Sequence, residues 1–195
     1  VGGFYKVPRR GELARWAEKV KEGREIALDL LRWVVSLPFP DFEQDYEFVS
    51  LRHPKEYPII EGRIVSNKGL DIDWSEYDEH FVEEQISYTN ALHSKIKGRG
   101  YYMVGPLARL NLNFDRLSPM VKEVAEELGI KTPILNPFKS IIARCMETLY
   151  AFDEALRIIE GYREPSKPRA DVKPRSGVAY GCSEAPRGVL YHRYE

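Results

Sequence analysis

The 195-residue sequence predicts an α+β fold, predominantly helical, with long packed helices and small antiparallel β elements. Three observations lead there. Apolar residues recur at spacings of three and four over residues 12–35, and again from Phe138 to Ile159. Between those stretches, residues 45–66 change period: Tyr46, Phe48, Val49, Leu51, Tyr57, Ile59, Ile60, Ile64 and Val65 are β-prone. The length suits a single domain over residues 1–195 with a sizeable core. Hydrophobic and aromatic contents of 43% and 12% are those of a globular chain.

Charge is abundant but balanced, 30% of residues for a formal net charge of −1. Such a chain has no global field to draw it to nucleic acid or to an anionic membrane. No window approaches the roughly 18 consecutive apolar residues of a membrane span, and Val1 opens no signal-peptide pattern. The two cysteines, Cys145 and Cys182, lie far apart without a CxxC partner. They indicate neither a zinc site nor a disulfide framework, and a reducing, cytoplasmic setting follows. The basic residues Arg163, Lys167, Arg169, Lys173 and Arg175 are diluted by Glu164 and Asp171 and match no nucleic-acid-binding motif.

Residues 1–11 form a polar, glycine-bearing lead-in. The first helix repeats Leu13, Trp16, Ala17, Val20, Ala27, Leu30, Leu31, Val34 and Val35 at helical spacing. Gly23 weakens it locally, by roughly 1 kcal/mol relative to alanine, and Pro38 and Pro40 end it. In the β-prone stretch His53-Pro54 and Glu61-Gly62 are breaks, and Asn67-Lys68-Gly69 is a turn of a small antiparallel sheet. His53 reads as a loop residue. The acidic run from Asp71 to Glu79 lacks the glycine and closing glutamate of a calcium loop. Carboxylates at a helix start, favoured by the helix dipole, account for it. A helix over residues 75–95 follows, with Tyr77, Phe81, Tyr88 and Leu92 on its inner side. His80 and His93, thirteen residues apart, are too distant for one metal on such a helix.

Residues 98–113 begin glycine-rich, but without the lysine and hydroxyl residue that close a phosphate loop. They read as the approach to a helix. Ser118-Pro119 caps and opens a short helix that Gly129 ends. After Asn136-Pro137, the residues Phe138, Ile142, Cys145, Leu149, Phe152, Leu156 and Ile159 make an a/d seam three heptads long. Cys145 on that seam is a buried small hydrophobe. Gly161 ends the helix, and residues 162–176, with Pro165, Pro168 and Pro174, form an extended connection.

The last stretch carries Glu184-Ala185-Pro186-Arg187-Gly188 and then a strand over residues 189–195. Proline fixes φ, glycine frees it, and between them stands a planar, permanently charged donor fork. Such a turn can aim a guanidinium at an anion. It can equally be an ordinary turn whose arginine pairs with a surface carboxylate.

Seven blocks of residues occur in the order found in one known family. They are Val1-Gly2-Gly3-Phe4, the passage from Asp41-Phe42-Glu43 to Phe48, Glu61-Gly62-Arg63, Asn90-Ala91-Leu92-His93-Ser94, Val104-Gly105-Pro106-Leu107-Ala108-Arg109, Asn136-Pro137-Phe138, and Gly181-Cys182-Ser183-Glu184-Ala185-Pro186-Arg187-Gly188. In these the chain resembles the large (alpha, catalytic) subunit of NiFe hydrogenases. The likeness is to the soluble group 3 branch of NAD(P)-linked sulfhydrogenases and bidirectional hydrogenases. It covers nearly the whole chain, and its last block is the most specific.

The resemblance implies reversible dihydrogen cleavage, coupled to a soluble electron carrier such as NAD(P). The reaction would occur at a nickel–iron centre whose iron carries cyanide and carbon monoxide. It implies two CxxC pairs as metal ligands, and as partners diaphorase-type electron-transfer subunits and an iron–sulfur small subunit. For Pro186 and Arg187 it implies places beside the metals, with Arg187 over their open face. Neither CxxC pair occurs in this sequence. The resemblance therefore makes the chain an internal fragment of a longer subunit, itself without metal and without hydrogenase activity. Truncation should expose apolar surface and lead to self-association, or to partial disorder at residues 162–176. The other reading is a metal-free structural or subunit-interaction domain of the same fold, of the kind found in quinone-reducing respiratory complexes. The intact Glu184-Ala185-Pro186-Arg187-Gly188 favours the hydrogenase.

Overall fold

Two long helices, α1 (Arg10–Val35) and α5 (Ser140–Gly161), pack side by side as the main layer. The computed structural model describes residues 4–195, so the Val1-Gly2-Gly3 part of the lead-in lies outside the described residues. Ala27, Leu31 and Val34 of α1 are buried, as are Ile142, Cys145, Met146 and Leu149 of α5. Gly23 sits at their contact: a Cβ there would stand 2.5 Å from the Phe152 ring. The glycine that weakens the helix also admits the ring. Trp16 and Leu30 of the apolar repeat remain exposed, because that stripe is wider than the contact with α5. Phe138, at the start of the seam, is 53% exposed. It belongs to a 3-10 turn before α5 and meets Phe42 edge-on at 6.3 Å.

Two short helices close this core, α3 (Pro106–Asn113) and α4 (Pro119–Glu127), through Leu107, Leu110, Val121 and Ala125. Gly129 follows α4 with φ +67°, the left-handed position that glycine takes without penalty. Ser118 stands at the cap position of α4 but makes no capping hydrogen bond, and its buried hydroxyl lacks a protein partner. The cap expected from Ser118-Pro119 is thus made by backbone geometry and Pro119 alone.

A second, smaller core lies under three antiparallel pieces of sheet. Strands β1 (Val49–Arg52), β2 (Arg63–Ser66) and β3 (Asp71–Ile72) pair in that order, with the turn at Asn67-Lys68-Gly69 where the sequence places it. Leu51, Ile64 and Ile72 point into the core. Asp73 caps a 3-10 turn at residues 74–76, its carboxylate accepting from the Ser75 amide at 2.9 Å.

The helix expected over residues 75–95 is not formed. After the single turn α2 (Tyr77–His80), the chain makes a hairpin of β4 (Phe81–Gln85) and β5 (Leu92–Ile96). The reason is in the pairing. Phe81 and Ile96 face each other at the buried end, and Glu84 forms an ion pair with Lys95 across the strands. A helix would separate those pairs. Tyr88 and Leu92, expected inside, are 78% and 58% exposed. Tyr77 does point inward and stacks between Phe81 and Tyr191, with ring centroids 4.6 and 4.2 Å away.

The chain closes with a second hairpin, β6 (Ala179–Ala185) and β7 (Gly188–Tyr194). The preceding segment, residues 162–176, contains neither helix nor named strand and is mostly exposed. It runs beside the lead-in, where the Tyr162 hydroxyl donates to the Pro8 carbonyl and the Arg10 amide to Glu164. Among the described residues no helix is long and apolar enough to cross a membrane.

Candidate functional site

The β6–β7 pairing leaves Pro186 and Arg187 as the two residues of the hairpin turn, between the partners Ala185 and Gly188. Both turn residues are exposed. Among the described residues, no hydrogen bond or ion pair reaches the Arg187 side chain. The carboxylate that would make this an ordinary surface turn is absent from that set.

What holds the turn comes from elsewhere in the chain. Arg109, on α3, has a side chain only 4% exposed. Its Nε and Nη2 donate to the two oxygens of Glu147 on α5, at 2.6 and 2.8 Å. Its Nη1 donates to Glu184 Oε2 and to the Ala185 carbonyl, both at 2.8 Å. Nη2 also reaches the Pro186 carbonyl at 3.2 Å. A guanidinium has five N–H donors, and here each one is used.

The carboxylates are satisfied in turn. Glu184, with a side chain 1% exposed, accepts from the Leu51 amide of β1 at 2.7 Å through its other oxygen. Glu147 accepts from the buried Tyr57 hydroxyl at 2.7 Å. Asn113, one turn after Arg109, ties α3 to the same strand by donating to the Leu51 carbonyl at 3.0 Å. The network thus joins α3, α5, β1 and β6 at one guanidinium.

One cation and two carboxylates leave this network with an excess negative charge. Burial pushes the Glu184 carboxyl above the usual range, and outweighs the pull of Arg109 and the Leu51 amide. For Arg109, burial works against the charge, but the hydrogen bonds and charges of Glu147 and then Glu184 more than offset it, so its pKa is raised. Tyr57 is held well above its ordinary value by burial and by the adjacent Glu147.

The other flank of the turn is set by two glycines. Gly105, with φ +86°, lies against the turn backbone, and a Cβ on it would stand 2.9 Å from the Arg187 carbonyl oxygen. A Cβ on Gly188, at φ +141°, would stand 2.7 Å from the Val104 side chain. Both positions need glycine for conformation and for space. Arg109, Glu147 and Glu184 also line an open, largely apolar cleft of about 1000 Å³, together with Tyr57, Ile60 and Pro186.

Of the residues read from the sequence, Pro186 and Arg187 do lie on one exposed turn. Arg109, Glu147 and Tyr57 carry no signal of their own there. Arg109 stands in one of the seven family blocks, but its role depends on partners 38 and 75 positions away.

The two cysteines sit apart, in different cores. Cys145 packs in the helical core and Cys182 in the small sheet core. Burial raises both thiols, Cys182 to about 12 with Glu184 adding to the effect. Among the described residues, no group of three or more His, Cys, Asp or Glu side chains could hold a metal ion.

No protein-family model matches the chain. Individual proteins do. The alpha subunit of sulfhydrogenase 1 from Pyrococcus furiosus is 30% identical over 201 residues, spanning 98% of this chain and 46% of that relative. The alpha subunit of sulfhydrogenase 2 from the same organism is 28% identical over 199 residues, 99% of this chain and 45% of the relative. The solved structure of an NAD+-reducing NiFe hydrogenase in its H2-reduced state superposes with a TM-score of 0.71 at 25% identity, covering all of this chain and 48% of that one. The chain therefore spans about half the length of these relatives. By sequence and by fold, its relatives are the large (alpha) subunits of NiFe hydrogenases.

Proposed function

We propose that this chain is a portion of a hydrogenase catalytic subunit, where it builds the helical core and presents Arg187 beside the nickel–iron centre. The observation that carries this reading is the contrast at the turn. Arg187 is exposed and unpaired among the described residues, while the backbone beneath it is held by two donors of Arg109, whose other three are anchored on the carboxylates of Glu147 and Glu184. A surface turn of no consequence has no need of a buried ion network, since such networks bring little net stability. The intact enzyme would cleave dihydrogen reversibly and pass electrons to a soluble carrier such as NAD(P). Its partners would be diaphorase-type subunits and an iron–sulfur small subunit, in the cytoplasm.

This chain supplies no ligand for that centre. The cysteine pairs would belong to the part of the relatives' length that it does not span, so by itself it would hold no nickel–iron centre and have no hydrogenase activity. Its own contribution is a cation carried on a turn whose backbone is held, which stabilises nearby negative charge. Pro186, before it, fixes the turn.

The test compares the 195-residue chain with the hydrogenase containing it, by nickel analysis and dihydrogen-dependent dye reduction. The expected result is nickel and activity in the enzyme only, with activity lowered about 100-fold or more by Arg187→Gln, the scale of removing one preorganised donor. Stoichiometric nickel in the isolated chain, or full activity in the variant, would overturn the reading.

A further inference from the structure

We infer that Arg109 is the positioning residue for Arg187: through the carbonyls of Ala185 and Pro186 it sets the path of the turn from which the Arg187 side chain departs. This rests on the function proposed above for Arg187, but its structural part can be tested separately.

The inference comes from how the five donors are divided. Three go to carboxylates, two on Glu147 and one on Glu184, and these anchor the guanidinium to α5 and β6. The other two go to the successive carbonyls of Ala185 and Pro186. Two consecutive peptide planes are thereby oriented from below. Opposite them, Gly105 allows the Arg187 carbonyl to approach as no other residue would. The turn is clamped between a donor fork and a bare backbone.

A lysine cannot do the same. It offers three donors from one atom, so it cannot serve two carboxylates and two carbonyls in a planar fork. Glu147 is what keeps the fork aligned. It binds both Nε and Nη2, the bidentate geometry that fixes guanidinium rotation. Tyr57, donating to Glu147 at 2.7 Å, steadies that carboxylate in turn.

The experiment measures hydrogen–deuterium exchange of single amides in the 195-residue chain and in its Arg109→Lys and Glu147→Gln variants. Two amides report directly: Leu51, which donates to Glu184 Oε1, and Glu184, which donates to the Ile59 carbonyl at 2.8 Å. Expected is exchange faster by about tenfold or more at these and at the turn, with α5 interior amides unchanged. Unchanged exchange in both variants would overturn the inference. So would acceleration spread evenly over the chain, which would mark Arg109 as a mere contributor to global stability. Should Arg109→Lys fail to fold, Glu147→Gln keeps the carboxamide oxygen and decides the matter.

In the hydrogenase, Arg109→Lys should lower turnover by roughly 100-fold, the cost of misplacing an essential group by about 1 Å. In the Arg187→Gln background it should cost little more. If the amides respond but turnover does not, positioning of the turn stands and the proposed role of Arg187 falls. If turnover falls equally in both backgrounds, Arg109 does not act through Arg187 and the inference fails.

Discussion

Gly105 and Arg187 meet backbone to backbone: a single added carbon on Gly105 would lie 2.9 Å from the Arg187 carbonyl oxygen. The contact cannot be relieved by a side-chain rotation, because both sides are main chain. Gly105 also holds φ +86°, which an L residue adopts only with strain. Gly105→Ala is expected to cost about 2–4 kcal/mol, combining left-handed strain with a displaced turn. Urea denaturation of the two proteins, with equal slopes and a lower midpoint for the variant, checks this.

Glu184 makes stability depend on pH in an unusual direction. Its carboxyl pKa is raised above 4.5 by burial, so the folded chain holds the proton more tightly than the unfolded chain does. The group's contribution is therefore fully present below its unfolded pKa and is lost as pH rises through the folded value. Glu184→Gln, which keeps an oxygen for the Leu51 amide, removes this dependence. The stability of wild type should fall relative to the variant as pH rises from 4.5 towards neutrality, in denaturation series taken at several pH values. A difference that stays constant over that range would disprove the linkage.

The β4–β5 hairpin can be told from a helix by two substitutions. Ile96 is 3% exposed and faces Phe81, so Ile96→Ala should cost about 2–4 kcal/mol. Leu92, 58% exposed, should tolerate serine within about 0.5 kcal/mol. A helix over residues 75–95 would bury Leu92 and reverse the ranking. Thermal unfolding of both variants decides it.

Both thiols should be silent in the folded chain. Cys145 and Cys182 are buried and their pKa values raised, so neither provides thiolate at about pH 8. A thiol-reactive chromophore should modify neither cysteine in buffer and both in denaturant. Rapid modification of Cys182 in buffer would show that the β6–β7 hairpin opens far more readily than its packing implies.

The helical half of the fold was legible because its signal is local. The seam from Ile142 to Leu156 repeats with the helix, and a residue's own neighbours in sequence declare which face is buried. The same local logic located the turn at Asn67-Lys68-Gly69 and the end of α4 at Gly129. It failed at residues 75–95, where Tyr77 and Phe81 are helically spaced and do stack, but the following residues gain more from cross-strand partners. Pairing energy of that kind belongs to two strands jointly and is invisible in either alone.

At the site the division is sharper. Sequence alone determined that Arg187 lies between a residue with fixed φ and a glycine, and that the chain's two cysteines form no CxxC pair. Only the tertiary structure decided what holds the turn. Arg109, Glu147 and Glu184 become one object when α3, α5 and β6 converge, over separations of 38 and 75 residues. A charge is buried at tolerable cost only where its partners are already in place. That condition is a property of the packed chain, and no stretch of sequence states it.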